Sequence, residues 1–398
     1  MTGILNISNK KIIEYGSVLL ISLFIFSPIL YFYVYSYEIS DINFHTEYAR
    51  MFFESPQEIS NNFYISIGSH PAWHWLVIIT HEILKLFVEK SWKFSAFSVT
   101  ICFELITVLL LFWLIRKKLP ALLAGALSIS MMIVQPIMIF APLGHHLRLG
   151  YIWVNTYANP TSIMLQPLAI LQFMFSTEAL SGKESKWVKI LFAVFISLTA
   201  VLTKPGYAIC MLPALGFFIM LNILKKKHTD WKMLFLGLIL PTIAILIWQY
   251  LYVFGSGEES NILFAPFLVM SHYSSNLLIK FFLSIAFPFM VTIMYWKESI
   301  KDIRIQFGWM GFGIGVIYTY LFAESGWRLT SGNFLYSGVH SLFILFVCCI
   351  LFLSEKKLLQ ISKRARWLIV STGLLHILFG IYFYFYSLTT ISPVNPFK

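Results

Sequence analysis

The chain has 398 residues, of which 58% are hydrophobic, 18% aromatic and 12% charged, with a formal net charge of +11. A soluble domain carries about a quarter charged residues, so this composition excludes an ordinary soluble globular protein. Apolar runs of about 20 residues recur and are closed by Lys or Arg, the pattern of a polytopic α-helical membrane protein. Because the basic residues cluster between these runs, the net charge indicates membrane topology and predicts no nucleic-acid partner.

Eleven apolar runs predict an all-α fold of about eleven transmembrane helices. With the N-terminus inside, the predicted spans are 15–37, 94–115, 119–141, 162–180, 187–203, 206–224, 231–253, 275–296, 305–323, 335–354 and 367–388. This order puts the basic clusters inside and the C-terminus outside, in agreement with the positive-inside rule. We therefore predict a single domain over 1–398, integral to the lipid bilayer of a bacterial cytoplasmic membrane.

The first external loop, predicted over 38–93, is the longest stretch that contains many polar residues. Within it, 71–89 carries charged and histidine side chains that are costly at the centre of a bilayer but natural in an interfacial helix. If 71–89 crossed the membrane, the basic cluster that begins at Arg116 would fall outside, against the positive-inside rule. We therefore predict a juxtamembrane helix there and assign 94–398 to the rest of the transmembrane bundle.

The segment that follows the first span carries the strongest candidate for chemistry. If 41–52 is helical, Asp41, His45 and Tyr48 share one face. Asp41 is then placed to accept a proton from an attacking hydroxyl, with His45 orienting or polarising the acceptor. The alternative is that Ser40 and Asp41 only start a helix, since both residue types are favoured there.

Three cations of the predicted external loops are candidates to bind a phosphate. Lys204, in a Thr-Lys-Pro-Gly turn, offers a point charge, although a lysine near a helix end also commonly snorkels to the interface. Arg148 and Arg328 offer a planar fork that matches phosphate oxygens. The alternative for Arg328 is an ion pair with Glu324, four residues earlier. Lys280, near the outer end of its span, is expected to snorkel.

Polar and aromatic residues of the same predicted loops suit contacts to a sugar or an acceptor. The stretch 153–161 combines aromatic rings, which stack on sugars, with the amides of Asn155 and Asn159. The alternative is an interfacial aromatic belt with a helix started by proline. The remaining candidates for sugar or acceptor contacts are Glu47, His74, His145, His146, Glu324 and Asn333. His145 and His146 diverge as neighbours and have no third ligand at suitable spacing, so no metal or other cofactor is predicted.

These residues, in this order, resemble the GT-C superfamily of polytopic glycosyltransferases, which includes protein O-mannosyltransferases and lipid A aminoarabinose transferases. The resemblance covers roughly 15–225: a first span, an acidic residue just outside it, and the His-Pro-Ala-Trp-His-Trp stretch at 70–75. That stretch is similar to the Pro-Pro-leucine-aromatic start of the family's second juxtamembrane helix. Asp41 takes the place of the family's catalytic acidic residue. Glu47 is separated from it, whereas many members have paired acidic residues, and this disfavours a metal-dependent variant.

The resemblance implies an inverting membrane glycosyltransferase that acts on the external face. The donor would be a polyprenyl-phosphate sugar, and the acceptor would be a hydroxyl of a lipid, glycan or protein. Asp41 would deprotonate the acceptor, while Arg148, Lys204 and Arg328 would hold the phosphate leaving group.

Two other classes of protein fit parts of the sequence. A polysaccharide polymerase or ligase also acts on lipid-linked glycans and would use Arg148 and Arg328. A non-enzymatic lipid or glycan transporter would use Lys204 and Glu324 as intramembrane charges on a substrate path. Inverted repeats are common in transporter folds, and the sequence has no clear repeat.

Overall fold

The computed structural model describes residues 9–59, 68–139, 147–254, 261–326, 329, 332–355 and 361–389. The helices are α1 (Asn9–Tyr31), α2 (Asp41–Glu54), α3 (Ala72–Leu84), α4 (Ser91–Arg116), α5 (Ala121–Ile133), α6 (Pro160–Leu180), α7 (Trp187–Thr203), α8 (Ala208–Leu224), α9 (Leu240–Phe254), α10 (Leu268–Tyr273), α11 (Leu277–Met294), α12 (Trp296–Ser299), α13 (Ile303–Leu321), α14 (Leu335–Glu355) and α15 (Lys363–Thr389). Wider π-helical turns, Phe32–Ser36 and Met233–Ile239, extend α1 and precede α9.

The architecture of the described residues is helical, as predicted, with one small exception. Strands β1 (Ile262–Phe264) and β2 (Phe322–Glu324) pair antiparallel, with Leu263 opposite Ala323. The ribbon joins the segment before α10 to the end of α13. An all-α fold therefore describes the bundle but not this connection.

Seven helical segments in the described part of the chain are long and apolar enough to cross a membrane, so the chain is a polytopic integral membrane protein. They are Asn9–Ser36, Ser91–Arg116, Pro160–Leu180, Met233–Val253, Leu277–Met294, Leu335–Glu355 and Lys363–Thr389. Helices α5, α7 and α8 are apolar but shorter. Each of the eleven predicted spans contains a helix, while the number that cross the membrane remains a prediction.

Polar contacts distinguish the two ends of the bundle. At one end, Arg116 Nε lies 3.0 Å from Glu14 Oε2, and Arg304 Nη2 lies 2.7 Å from Glu355 Oε2. These contacts join the start of α1 to the end of α4 and the start of α13 to the end of α14. The first turns of α2, α6 and α14 meet the end of α7 at the opposite end, which we call the site end. The most buried spans, α6 and α14, connect the two ends.

Helix α5 is much shorter than its predicted span of 119–141. It ends at Ile133, and the backbone continues without regular secondary structure to residue 139, with residues 134–138 buried. Pro136 explains the break, because proline disfavours a helical residue before it and lacks an N–H donor. The backbone groups that the break releases at Gln135 are satisfied by α15: the His376 carbonyl accepts from the Gln135 N–H at 3.2 Å, and His376 Nδ1 lies 2.7 Å from the Gln135 carbonyl. Irregular backbone within a membrane needs such hydrogen-bond partners, because the lipid offers none.

The first loop contains two short helices, α2 and α3, which pack on each other and on α4. Helix α3 covers 72–84 of the predicted 71–89, and the prediction of a helix there is confirmed. His81 stacks on Trp92 at the start of α4, with ring centroids 3.7 Å apart. This contact anchors the end of α3 to the bundle. The interfacial position of both helices remains a prediction.

Candidate active site

Asp41 is directed into the bundle because its neighbour supplies the helix cap. Ser40 has extended backbone, and its Oγ accepts a hydrogen bond from the Asn43 N–H at 3.2 Å. The Ser40 hydroxyl also donates to the Tyr33 carbonyl at 2.6 Å, which fixes the chain after the π-helical turn. Asp41 then occupies the first turn of α2, where the helix dipole favours a carboxylate. The helix start predicted for Ser40 and Asp41 therefore coexists with an Asp41 carboxylate that is not used for capping.

Asn159 connects Asp41 to the other polar residues of the site. Because Pro160 follows it, Asn159 is extended and caps α6, with its Oδ1 accepting from the Ser162 N–H at 2.9 Å. Its Nδ2 donates to Asp41 Oδ2 at 2.9 Å and to the Tyr336 hydroxyl at 3.3 Å. The cap thus orients the amide: one end stabilises the helix and the other end holds the carboxylate.

Lys204 enters the site because helix α7 must stop before it. The residue precedes Pro205, which disfavours helical backbone, and Lys204 is extended with φ −169° and ψ 128°. Its Nζ donates to Asn159 Oδ1 at 3.2 Å and to Thr161 Oγ1 at 3.4 Å. The turn packs tightly against α14, since a Cβ at Gly206 would lie 2.7 Å from His340 Nδ1. The amine is therefore held in place rather than snorkelling.

Aromatic rings separate Lys204 from Arg148, the second cation of the site. The Lys204 amine lies 3.7 Å from the centroid of the Tyr336 ring. The Arg148 guanidinium carbon lies 5.0 Å from the Trp153 ring centroid and 4.3 Å from that of Phe383. Within the described residues, neither cation has a carboxylate within 4.0 Å. With Asp41 as the carboxylate of the cluster, the site carries one negative and two positive charges, which favours binding of an anion.

His45 lies on the predicted face of α2, but its described hydrogen bond is to another histidine. His45 Nδ1 lies 2.8 Å from His74 Nε2 on α3, and both rings are buried. Burial lowers the pKa of His74 to about 3. Burial, and then electrostatic interactions with His74 and Lys204, lower the pKa of His45 well below its ordinary value. The pair is therefore neutral near pH 7, and one ring donates to the other.

The structure places the other predicted residues in different surroundings. Glu47 is partly exposed and forms a two-pronged ion pair with Arg50, at 2.5 and 3.1 Å. The Asn155 side chain is buried and saturated: its Nδ2 donates to the Met131 and Val134 carbonyls, and its Oδ1 accepts from Gln166. Asn155 therefore braces the loop against the end of α5, while its backbone carbonyl accepts from Arg148 Nη1 at 3.0 Å.

The remaining candidate residues lie either in a separate cleft or outside the residues that the structure describes. Asn333 Nδ2 donates to Glu324 Oε2 in a small cleft beside the β1–β2 ribbon, and no described contact joins this pair to the Asp41 cluster. His145, His146 and Arg328 lie outside the described residues. In the described part of the chain, no group of three or more His, Cys, Asp or Glu side chains is placed to hold a metal ion.

Several residues of the site are not among the sequence predictions. The Tyr336 hydroxyl accepts from Asn159, and Thr161 Oγ1 accepts from Lys204. No local motif marks either residue, because Tyr336 lies at the start of a predicted span and Thr161 follows a helix-starting proline. Lys280 was expected to snorkel, and this prediction was wrong. It is 2% exposed, donates to the Leu149 carbonyl at 2.9 Å and faces the Tyr151 ring. Burial of the loop before α6 against α11 encloses the amine.

Glu104 is a second feature that the sequence analysis missed. It lies midway along α4 and is 2% exposed, and within the described residues its buried Oε1 has no hydrogen-bond partner. Tyr157 is its electrostatic neighbour. A lone carboxyl within an otherwise apolar predicted span was the signal available in the sequence. An unsatisfied buried polar group costs free energy, so Glu104 is expected to destabilise the fold.

We predict that Glu104→Leu raises the free energy of unfolding by about 1–3 kcal/mol, because it removes this unsatisfied group and fills similar space. The measurement is the thermal denaturation midpoint of the purified protein in detergent. Glu14→Leu is the matched control and should lower the midpoint, since Glu14 pairs with Arg116. A lower midpoint for Glu104→Leu would contradict the prediction and indicate that the carboxyl has a stabilising partner.

Comparison with known proteins does not assign this site. No protein-family model, no curated protein and no solved structure matches the chain.

Proposed function

We propose that this protein is a membrane glycosyltransferase that transfers a sugar from a polyprenyl-phosphate donor to a hydroxyl acceptor. The observation that carries the proposal is the hydrogen-bonded series Asp41–Asn159–Lys204 at the site end of the bundle. It places a carboxylate suited to act as a base beside a cation suited to bind phosphate. We also propose that the protein is related to the GT-C enzymes that it resembles, and that its site lies on the external face of a bacterial membrane.

In the proposed reaction, the Asp41 carboxylate removes the proton from the acceptor hydroxyl. The acceptor oxygen then forms a bond to the anomeric carbon, and the bond from that carbon to the phosphate oxygen breaks. The electron pair leaves with the polyprenyl phosphate, and displacement from the opposite side inverts the anomeric centre. Asn159 orients the base through its hydrogen bond to Oδ2, at 2.9 Å.

The two cations account for the leaving group without a general acid. Lys204 and Arg148 can stabilise the charge that develops on the departing phosphate, because they are already positioned before the reaction. The neutral His45 and His74 do not supply a general acid in this scheme. Their shared hydrogen bond instead ties α2 to α3, and so supports the helix that carries Asp41.

The test is a transfer assay with the purified protein in lipid nanodiscs, using polyprenyl-phosphate sugars and a panel of hydroxyl acceptors. Formation of a glycosylated product together with free polyprenyl phosphate would support the proposal. Extension of a lipid-linked glycan would favour a polymerase or ligase. Sugar uptake into proteoliposomes without any glycosylated product would favour a transporter.

We predict that affinity for polyprenyl phosphate falls as the pH rises through about 8. Burial lowers the pKa of Lys204 to about 8, although the charge of Asp41 opposes the shift. The amine is therefore charged below this pH and loses its charge above it, which weakens its attraction for phosphate. The measurement is the dissociation constant of decaprenyl phosphate between about pH 7 and about pH 9.5. Lys204→Arg should give a flat profile, since arginine stays charged throughout. A flat profile for the unaltered protein would contradict the prediction.

A further inference from the structure

The indole of Trp153 presents a buried donor for which the described residues supply no acceptor. The residue is 9% exposed, and its enclosed Nε1 has no hydrogen-bond partner in the described part of the chain. A buried N–H group without a partner loses the hydrogen bonds that it made to water. Tryptophan N–H groups usually find a partner when buried, so this one requires an explanation.

The ring that carries this donor lies between the site's aromatic and cationic groups. Arg148 faces the Trp153 ring at 5.0 Å, and the Tyr336 ring meets it edge-on, with centroids 6.3 Å apart. The Arg148 guanidinium has five N–H donors. Within the described residues its hydrogen bond is the one from Nη1 to the Asn155 carbonyl. Arg148 and Trp153 are therefore neighbouring side chains with unused donors, next to the Tyr336 ring that Lys204 also contacts.

The loop that carries both residues is anchored to α11. The Leu149 carbonyl accepts from Lys280, and the Ile152 N–H donates to Ser284 Oγ at 3.1 Å. Gly150 has φ +85°, and a Cβ there would lie 2.3 Å from Ser274 Cβ, so the close approach needs glycine. Donors held in this way are positioned before a ligand arrives, which lowers the entropy lost on binding.

We propose that the Trp153 indole N–H and the unused N–H groups of Arg148 form a phosphate-binding subsite, which takes the anionic phosphate of a phosphoester. The inference rests on the proposed function, which supplies a lipid-linked phosphoester as the ligand. It makes Trp153 a binding residue for the leaving group, in addition to the cations. A free soluble phosphate has the same chemistry, so the test separates the two sources.

The test compares binding of decaprenyl phosphate, the uncharged alcohol decaprenol and inorganic phosphate by the full-length protein in nanodiscs. Trp153→Phe keeps an aromatic ring against Arg148 and removes only the N–H donor. We expect it to weaken decaprenyl phosphate binding about ten- to a hundredfold, the effect of one hydrogen bond to a charged group, and to leave decaprenol binding unchanged. Binding of inorganic phosphate that is equally sensitive to the variant would identify a free phosphate as the ligand source.

A matched control removes an indole N–H elsewhere. Trp309 Nε1 donates to Thr292 Oγ1 at 2.7 Å between α13 and α11, so Trp309→Phe should leave all three affinities unchanged.

An equal loss of decaprenyl phosphate and decaprenol binding in Trp153→Phe would indicate a packing role and overturn the subsite. So would unchanged affinities, which would indicate that the N–H is satisfied by a water. If the unaltered protein transfers sugar while Trp153→Phe binds phosphate normally, only the subsite fails. If the unaltered protein binds no phosphate, the proposed function fails with it.

Discussion

Asp41→Asn is expected to reduce sugar transfer by about two to four orders of magnitude, the usual contribution of a positioned general base. The asparagine carbonyl can still accept the hydrogen bond from Asn159 Nδ2, so the local geometry should persist. A carboxamide cannot take the acceptor's proton at neutral pH. Binding of decaprenyl phosphate should be retained or modestly tighter, because the variant removes a negative charge near the phosphate. The measurements are transfer rate and lipid-phosphate affinity on the same preparation.

Glu54→Gln provides the matched control for this prediction. Glu54 lies on the same helix, contacts Trp92 and Arg50, and has no described contact with the Asp41 cluster. Its transfer rate should stay within about twofold of the unaltered protein, as expected for a surface substitution. Full transfer by Asp41→Asn would exclude Asp41 as the base. If Arg328→Ala abolished transfer in that case, the polymerase or ligase alternative would be preferred.

Lys204→Met is expected to weaken binding of decaprenyl phosphate by about ten- to a hundredfold, because it removes a charged hydrogen-bond donor but keeps a stem of similar shape. Transfer should fall at least as far, since the same amine would stabilise the departing phosphate. The substitution also removes the bonds from Nζ to Asn159 and Thr161. The measurement is the dissociation constant for decaprenyl phosphate, with decaprenol as the uncharged reference.

The control is Lys189→Met, which removes another partly buried amine. Lys189 forms an ion pair with Glu178 at the end of the bundle away from the site, so its loss should leave phosphate affinity unchanged. A loss of affinity for decaprenol that equals the loss for decaprenyl phosphate would assign Lys204 a packing role. Unchanged affinity for both ligands would remove Lys204 from the phosphate site.

The helical class and the local geometry around the site follow from patterns within short stretches of sequence. Apolar runs of membrane length identify the helical segments, because backbone groups in lipid must be satisfied within the segment. Pro160 and Pro205 determine that Asn159 and Lys204 are extended, since proline restricts the residue before it. The helical period of α2 places Asp41 and His45 on a common face. Each of these effects acts over one helical turn or within one span.

The partners of these side chains depend on contacts between distant segments. Asp41 meets Asn159, 118 residues later, and His45 meets His74, 29 residues later. Asn155 and Asn159 look equivalent in sequence, yet contacts with the end of α5 and with Gln166 on α6 use both polar atoms of the Asn155 side chain and leave Asn159 to bridge Asp41 and Lys204.

Burial also changed the interpretation of isolated charges and aromatic residues. Lys280 and Glu104 are single charges in apolar runs, and only the packing of neighbouring segments encloses them. Tyr336 and Trp153 join the site because helix α14 and the loop before α6 meet there, a contact that no local motif encodes. Local sequence restricts the backbone directly, whereas the pairing of polar groups is selected by the cost of leaving any of them unsatisfied in the packed bundle. That cost exists only once the helices are assembled, which is why the composition of the site required the tertiary structure.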